Sequence, residues 1–177
     1  MKLSDFTKTA GALLIGMSIM VPVAHAQAAP TQIKQNNAWG AYKHNGSNGT
    51  VCYILSIPTQ MEPTSVNGRA VDHGDVFFMI ARYSGQNVRF EPSFKAGYPF
   101  QDNSKVVVDI DGKKFSMFTR GEKAWLENPA DEQAVVAAMR AGSKMQVSAV
   151  SRRGTQTSYT YSLSGVTASI GDIQNCQ

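Results

Sequence analysis

The chain has 177 residues, with 17 basic and 13 acidic side chains, a formal net charge of +4 and 42% hydrophobic residues. The charges alternate in sign, and no basic run is longer than the pairs Lys113-Lys114 and Arg152-Arg153, which argues against a dense nucleic-acid-binding face. The length suits one domain burying roughly 70% of its unfolded surface, so a core forms without metals or many cross-links.

Residues 1–26 read as an export signal. Lys2 and Lys8 charge the start, an apolar run extends from Ala10 to Val23, and Ala24-His25-Ala26 offers the small-x-small cleavage pattern. The run is short for a membrane span, and Gln27 rather than a cysteine follows, which disfavours a lipid-anchored end. Removing 26 of the 177 residues leaves 151, with 15 basic and 12 acidic side chains and a charge of +3. Residues 27–35 read as a flexible lead-in, polar and without an apolar period, and 36–177 as a single β domain.

Strand signals then recur at short spacing. Trp39–Tyr42 and Val51–Ile57 flank the turn composition His44–Gly49. Pro58–Gly74, with two prolines and two glycines, reads as a long surface loop. Val76–Tyr83 has the apolar, aromatic make-up of a central strand, and Asn87–Phe94 follows as another. Lys105–Ile110 and Lys114–Thr119 flank Asp111-Gly112, a strong hairpin signal.

Asn128, Pro129, Asp131 and Glu132 make a helix start, and Val135, Ala138 and Met139 form its apolar stripe up to Gly142. Met145–Ser151 and Thr157–Leu163 form a second hairpin around Arg152-Arg153-Gly154-Thr155-Gln156, with apolar and hydroxyl positions alternating. Val166–Cys176 reads as a short terminal helix. About seven or eight short strands predict an antiparallel β-sandwich or partly closed barrel with one amphipathic helix and a short C-terminal helix.

Two cysteines, Cys52 and Cys176, follow the signal. In an oxidising compartment the pair reads as one structural disulfide, and no Cys-x-x-Cys supports a redox or metal alternative. Closing so long a loop is worth ~4–5 kcal/mol in the chain-entropy model.

Catalytic signals are sparse. Asp72-His73-Gly74-Asp75 places a histidine between carboxylates, but sequence neighbours point apart in an extended loop, so a solvated turn is expected. Asp109-Ile110-Asp111-Gly112 is too short for a calcium loop, and the hairpin explains it better. No nucleophile elbow, zinc-helix motif or phosphate loop occurs, so no catalytic, cofactor or metal residues are assigned. Arg152 and Arg153 at a hairpin tip are the candidate contact residues, suited to carboxylate or sulfate groups. Trp39 and Trp125 are expected in the core.

The segments Trp39-Gly40-Ala41-Tyr42, Val51-Cys52-Tyr53, Gly97-Tyr98-Pro99-Phe100, Ala124-Trp125-Leu126 and the capped helix resemble the invasion-associated locus B family of exported bacterial proteins. Arg153-Gly154-Thr155, Tyr161-Ser162-Leu163-Ser164-Gly165 and Cys176 continue in the same order, so the resemblance runs from about Asn36 onward. It implies a periplasmic or surface-associated α-proteobacterial protein with a β-sandwich-like fold, some members being linked to host-cell entry. It brings no catalytic residues.

The expectation is therefore an exported, non-enzymatic accessory or binding protein of the cell envelope, contacting an unidentified envelope or host-surface component. No nucleic acid, no cofactor and no membrane span after cleavage are expected. The alternative is a periplasmic hydrolase or metal-dependent enzyme using carboxylates with His73.

Overall fold

The structure, a computed structural model, describes residues 29–47, 49–83 and 90–175. The export signal, Asn87 to Arg89 and Cys176 lie outside the described residues. Strands come first in chain order: β1 (Thr31–Asn36), β2 (Trp39–Gly46), β3 (Gly49–Ser56), β4 (Gln60–Glu62), β5 (Ser65–Val66), β6 (Arg69–Ala70) and β7 (Phe77–Tyr83). Then follow β8 (Glu91–Lys95), β9 (Lys105–Ile110), β10 (Lys113–Arg120) and β11 (Lys123–Leu126). A 3-10 turn, Pro129–Asp131, leads into α1 (Glu132–Ala141), then β12 (Lys144–Val150), β13 (Gln156–Ser162) and α2 (Val166–Asp172).

Eleven of these strands form one antiparallel sheet in the order β1-β2-β3-β7-β8-β11-β10-β9-β12-β13-β4, with β5-β6 a separate small hairpin. β1 and β4 stand at its two ends and do not pair, so the sheet is not closed into a barrel. It folds over on itself instead. Phe94 on β8 meets Tyr159 on β13 at 5.5 Å between ring centres, and Phe78 on β7 meets Tyr161 at 6.2 Å, although these strands are far apart in the order. The facing halves enclose one core of alternate side chains, including Trp39, Ile54, Ile80, Val108, Met117, Met145 and Val147. The mostly β expectation with a sandwich-like arrangement and two short helices is thus met.

The helices cover the core where the fold leaves it open. Asn128 accepts the Ala130 N–H on its side chain at 3.1 Å, and Val135 and Met139 bury the apolar stripe of α1. α2 packs on β1 and β2: the Asn36 amide donates to Ser169 Oγ at 3.0 Å, and Ser169 Oγ donates to the Trp39 carbonyl at 3.1 Å. Trp39 is fully buried and its indole N–H donates to the Ser162 carbonyl at 2.9 Å. The expectation for Trp39 holds.

Four expectations need correction. The lead-in assigned to residues 27–35 contains most of β1, which pairs with β2 through its backbone while its side chains stay exposed. Such a strand needs no apolar alternation. Pro58–Gly74 is not one loop, because β4 adds to β13 and β5 pairs with β6. β11, absent from the expected strands, pairs with both β10 and β8. Within it Ala124 and Leu126 point inward and are buried, so Trp125 between them points outward.

Candidate functional site

The β12–β13 hairpin, whose tip carries Arg152 and Arg153, is strapped at its base. The Arg152 N–H donates to the Pro99 carbonyl at 2.9 Å, the Gln101 N–H to the Val150 carbonyl at 3.0 Å, and Phe100 bridges Ser151. Gly154 takes a φ of 83°, which lets the tip turn back so that the Ser151 N–H donates to the Thr155 carbonyl at 2.9 Å. Between this tip and the segment Val71-Asp72 lies a cavity of about 530 Å³, floored by Tyr98 and Thr157 and rimmed by Arg152, Arg153 and Thr155. Both arginines are exposed, and neither has an acidic partner within ion-pair distance among the described residues. Their guanidinium donors are open to a carboxylate, sulfate or similar oxyanion.

Below the cavity runs a buried hydrogen-bond chain. Tyr98 Oη lies 2.6 Å from Thr157 Oγ1 and 2.7 Å from Tyr159 Oη, and Thr157 Oγ1 donates to the Ala149 carbonyl at 3.2 Å. Tyr159 Oη in turn lies 2.9 Å from His73 Nδ1, while His73 Nε2 is 3.1 Å from the Pro63 carbonyl. A carbonyl only accepts, so Nε2 carries the proton, and in the neutral ring Nδ1 accepts from Tyr159. The single Tyr98 proton then serves either Tyr159 or Thr157. Burial raises the Tyr159 hydroxyl far above the ordinary tyrosine range, and its hydrogen bond with Tyr98 adds to the shift. Burial raises Tyr98 as well, against the opposing effect of its bonds to Thr157 and Tyr159. Both phenols stay protonated.

Two glycines make the chain possible. A Cβ on Gly97 would collide with Gly74 and with the His73 backbone, and the Gly97 N–H donates to the His73 carbonyl at 3.1 Å. This backbone-on-backbone approach sets Tyr98 beside Tyr159 and His73 behind it.

His73 is 7% exposed, not the solvated turn expected of it. The aromatic wall of Tyr159, edge-on at 5.4 Å, and the two acceptor-donor contacts pull it inward. Asp72 and Asp75 stay exposed beside it, and Asp72 spends Oδ1 on the Gly74 N–H at 2.8 Å. The histidine and the two carboxylates are thus not brought to one point. No group of three or more metal-binding side chains occurs among the described residues. Asp109 serves the hairpin by accepting the Gly112 N–H, while Asp111 accepts the Ser143 N–H after α1, each at 2.7 Å. Cys52 is buried on β3, and Cys176 lies outside the described residues. Trp125, expected in the core, is half-buried on the outer face and stacks against the exposed Phe118.

The sequence singles out the arginines as contact candidates but not the floor of the cavity they rim. Tyr98 and Tyr159 were visible only as part of a family-like segment and as inward strand positions, since their partnership depends on the fold-over of the sheet. No helix among the described residues is long and apolar enough to cross a membrane.

The family model described as Invasion associated locus B (IalB) protein matches residues 93–174, a stretch containing Tyr98, the Arg152-Arg153 tip and Tyr159. No curated protein matches the chain. Among solved structures, an invasion associated protein B from Bartonella henselae superposes with a TM-score of 0.56 at 13% identity, covering 81% of this chain and 96% of that one. At that identity the likeness speaks for the fold. Residues 93–174 thus match the invasion associated locus B family, on a fold similar to that of the Bartonella protein.

Proposed function

We propose that this chain is an exported, non-enzymatic accessory or binding protein of the bacterial cell envelope. It supports host-cell invasion or surface interaction, and its Arg152–Arg153 cleft engages anionic groups of an envelope or host-surface component. One observation carries the reading: two arginines with no acidic partner among the described residues rim an open cavity whose floor is a hydrogen-bonded tyrosine chain. The lining offers guanidinium and hydroxyl groups suited to holding an anion. The histidine nearest to it has both ring nitrogens occupied and does not line the cavity. Export is supported by the pattern of residues 1–26, and the invasion link by the family match over residues 93–174.

Immobilised residues 27–177 are expected to retain components of solubilised envelope or host-cell surface, and Arg152→Gln/Arg153→Gln to lose them. Protease shaving of intact cells locates the partner: cleavage with a periplasmic control intact places the domain outside, protection of both places it in the periplasm. Equal retention by wild type and the double variant excludes the cleft as the binding site. If His73→Ala removed a hydrolytic activity of the purified protein, the non-enzymatic reading would fall.

A further inference from the structure

The outer face of β10 and β11 carries a second, unrelated feature. Phe118 on β10 lies directly opposite Trp125 on β11, with ring centres 5.8 Å apart and planes 28° from parallel. Phe118 is 45% exposed, a large flat apolar surface left open to solvent. Beside the stack is a cavity of about 350 Å³ that Pro92, Arg120 and Pro129 help to line. A second cavity of about 790 Å³ continues from it along the outer side of α1 and shares Pro129 and Glu132 with the first. The two cavities adjoin at these residues and are treated as one groove. Its floor is apolar at the rings, Phe90 and Val136, while its edges carry long polar side chains.

We propose that this groove binds a linear, uncharged oligosaccharide. Flat stacked rings match the C–H face of a pyranose, which is apolar and nearly planar, while carboxylate and guanidinium groups at the edges match ring hydroxyls. The lining carries two arginines, Arg120 and Arg140, and two glutamates, Glu91 and Glu132. A polyanion, whether nucleic acid or acidic polysaccharide, gains nothing from such a rim. A helical peptide needs a row of deep apolar holes for its i, i+3 and i+4 anchors, whereas here the most exposed apolar side chain is the single ring of Phe118. Two cavities in line call for several sugar rings in a chain.

The protein has two tryptophans. Trp39 is fully buried, so a ligand on the stack alters the emission of Trp125 alone and leaves Trp39 as a fold reference. The test is a fluorescence titration of residues 27–177 with cellotetraose and with the tetramer of N-acetylglucosamine, using tetragalacturonate as the charged comparator. At least one uncharged tetramer should give a saturable shift. Affinity should fall about tenfold or more in Phe118→Ala and stay near wild type in Phe118→Tyr and in Arg152→Gln/Arg153→Gln. The last variant separates this groove from the arginine cleft. Absence of a shift with both uncharged tetramers, undiminished affinity in Phe118→Ala, or preference for the galacturonate would each overturn the proposal.

Discussion

Single residues show where the fold is tuned and where it is not. Tyr159 and Tyr161 sit side by side in the core on β13, yet only Tyr159 has hydrogen-bond partners; the Tyr161 hydroxyl is buried and meets none among the described residues. An unpaired buried hydroxyl costs about 1–3 kcal/mol. Tyr161→Phe is therefore expected to raise the urea midpoint, while Tyr159→Phe, which strands His73 and Tyr98, should lower stability by about 1–3 kcal/mol. The two phenols also set a pH dependence. Burial raises both, whereas the unfolded chain titrates near the ordinary value of 10. Above that pH the folded state holds more protons than the unfolded one, so stability falls as pH rises. The melting temperature should be level up to about pH 9 and drop toward about pH 11, less steeply in the Tyr159→Phe/Tyr161→Phe variant. A level profile throughout would contradict the burial of these groups.

At the scale of elements, the fold depends on close approaches that only glycine allows. Gly165, at a φ of 94°, starts α2, and a Cβ there would collide with the Asn36 carbonyl of β1. Gly165→Ala should cost at least about 1–3 kcal/mol from the backbone conformation, and the clash adds to that. The expected structural sign is loss of amide protection in β1 and α2 before the rest of the sheet. The elements with a period were legible in the sequence: Lys105–Ile110 agrees end to end with β9, and the alternation in β10, β12 and β13 places the right side chains inward. Those without one were not. β1 pairs through its backbone, with Ile33 its only apolar side chain, and β11 is four residues long. The helix start was readable because Asn128 and Pro129 act locally, although its first turn is 3-10 rather than α. The outward stack of Trp125 on Phe118 is half legible, since the alternation of Phe115 and Met117 with Lys114 and Ser116 puts Phe118 on the outer face of its strand. Trp125 followed only once β11 was known to be a strand.

For the whole molecule, the ends of the chain must be fixed for the sandwich to hold. Cys52 faces Arg82 across the β3–β7 ladder, and Arg82 donates to the Ile173 carbonyl at 3.5 Å. Ile173 stands three residues before Cys176 in the chain. A Cys52–Cys176 disulfide is expected, seen as a loss of about two daltons relative to the dithiol form, and its reduction should lower stability by up to ~4–5 kcal/mol. Two free thiols in freshly isolated protein would exclude it. The candidate site belongs to the same scale: its arginines come from one hairpin, its floor from a loop strapped to that hairpin, and its buried support from a histidine that the sequence placed in solvent.

The central claim is that the Arg152–Arg153 cleft binds anionic groups. Its most direct test is an amide-resolved NMR titration of residues 27–177 with sulfate and with succinate. Saturable shifts should concentrate in Gly97–Gln101 and Ser151–Thr157 and vanish in Arg152→Gln/Arg153→Gln. Shifts spread evenly over the surface, or equal in the double variant, would contradict it.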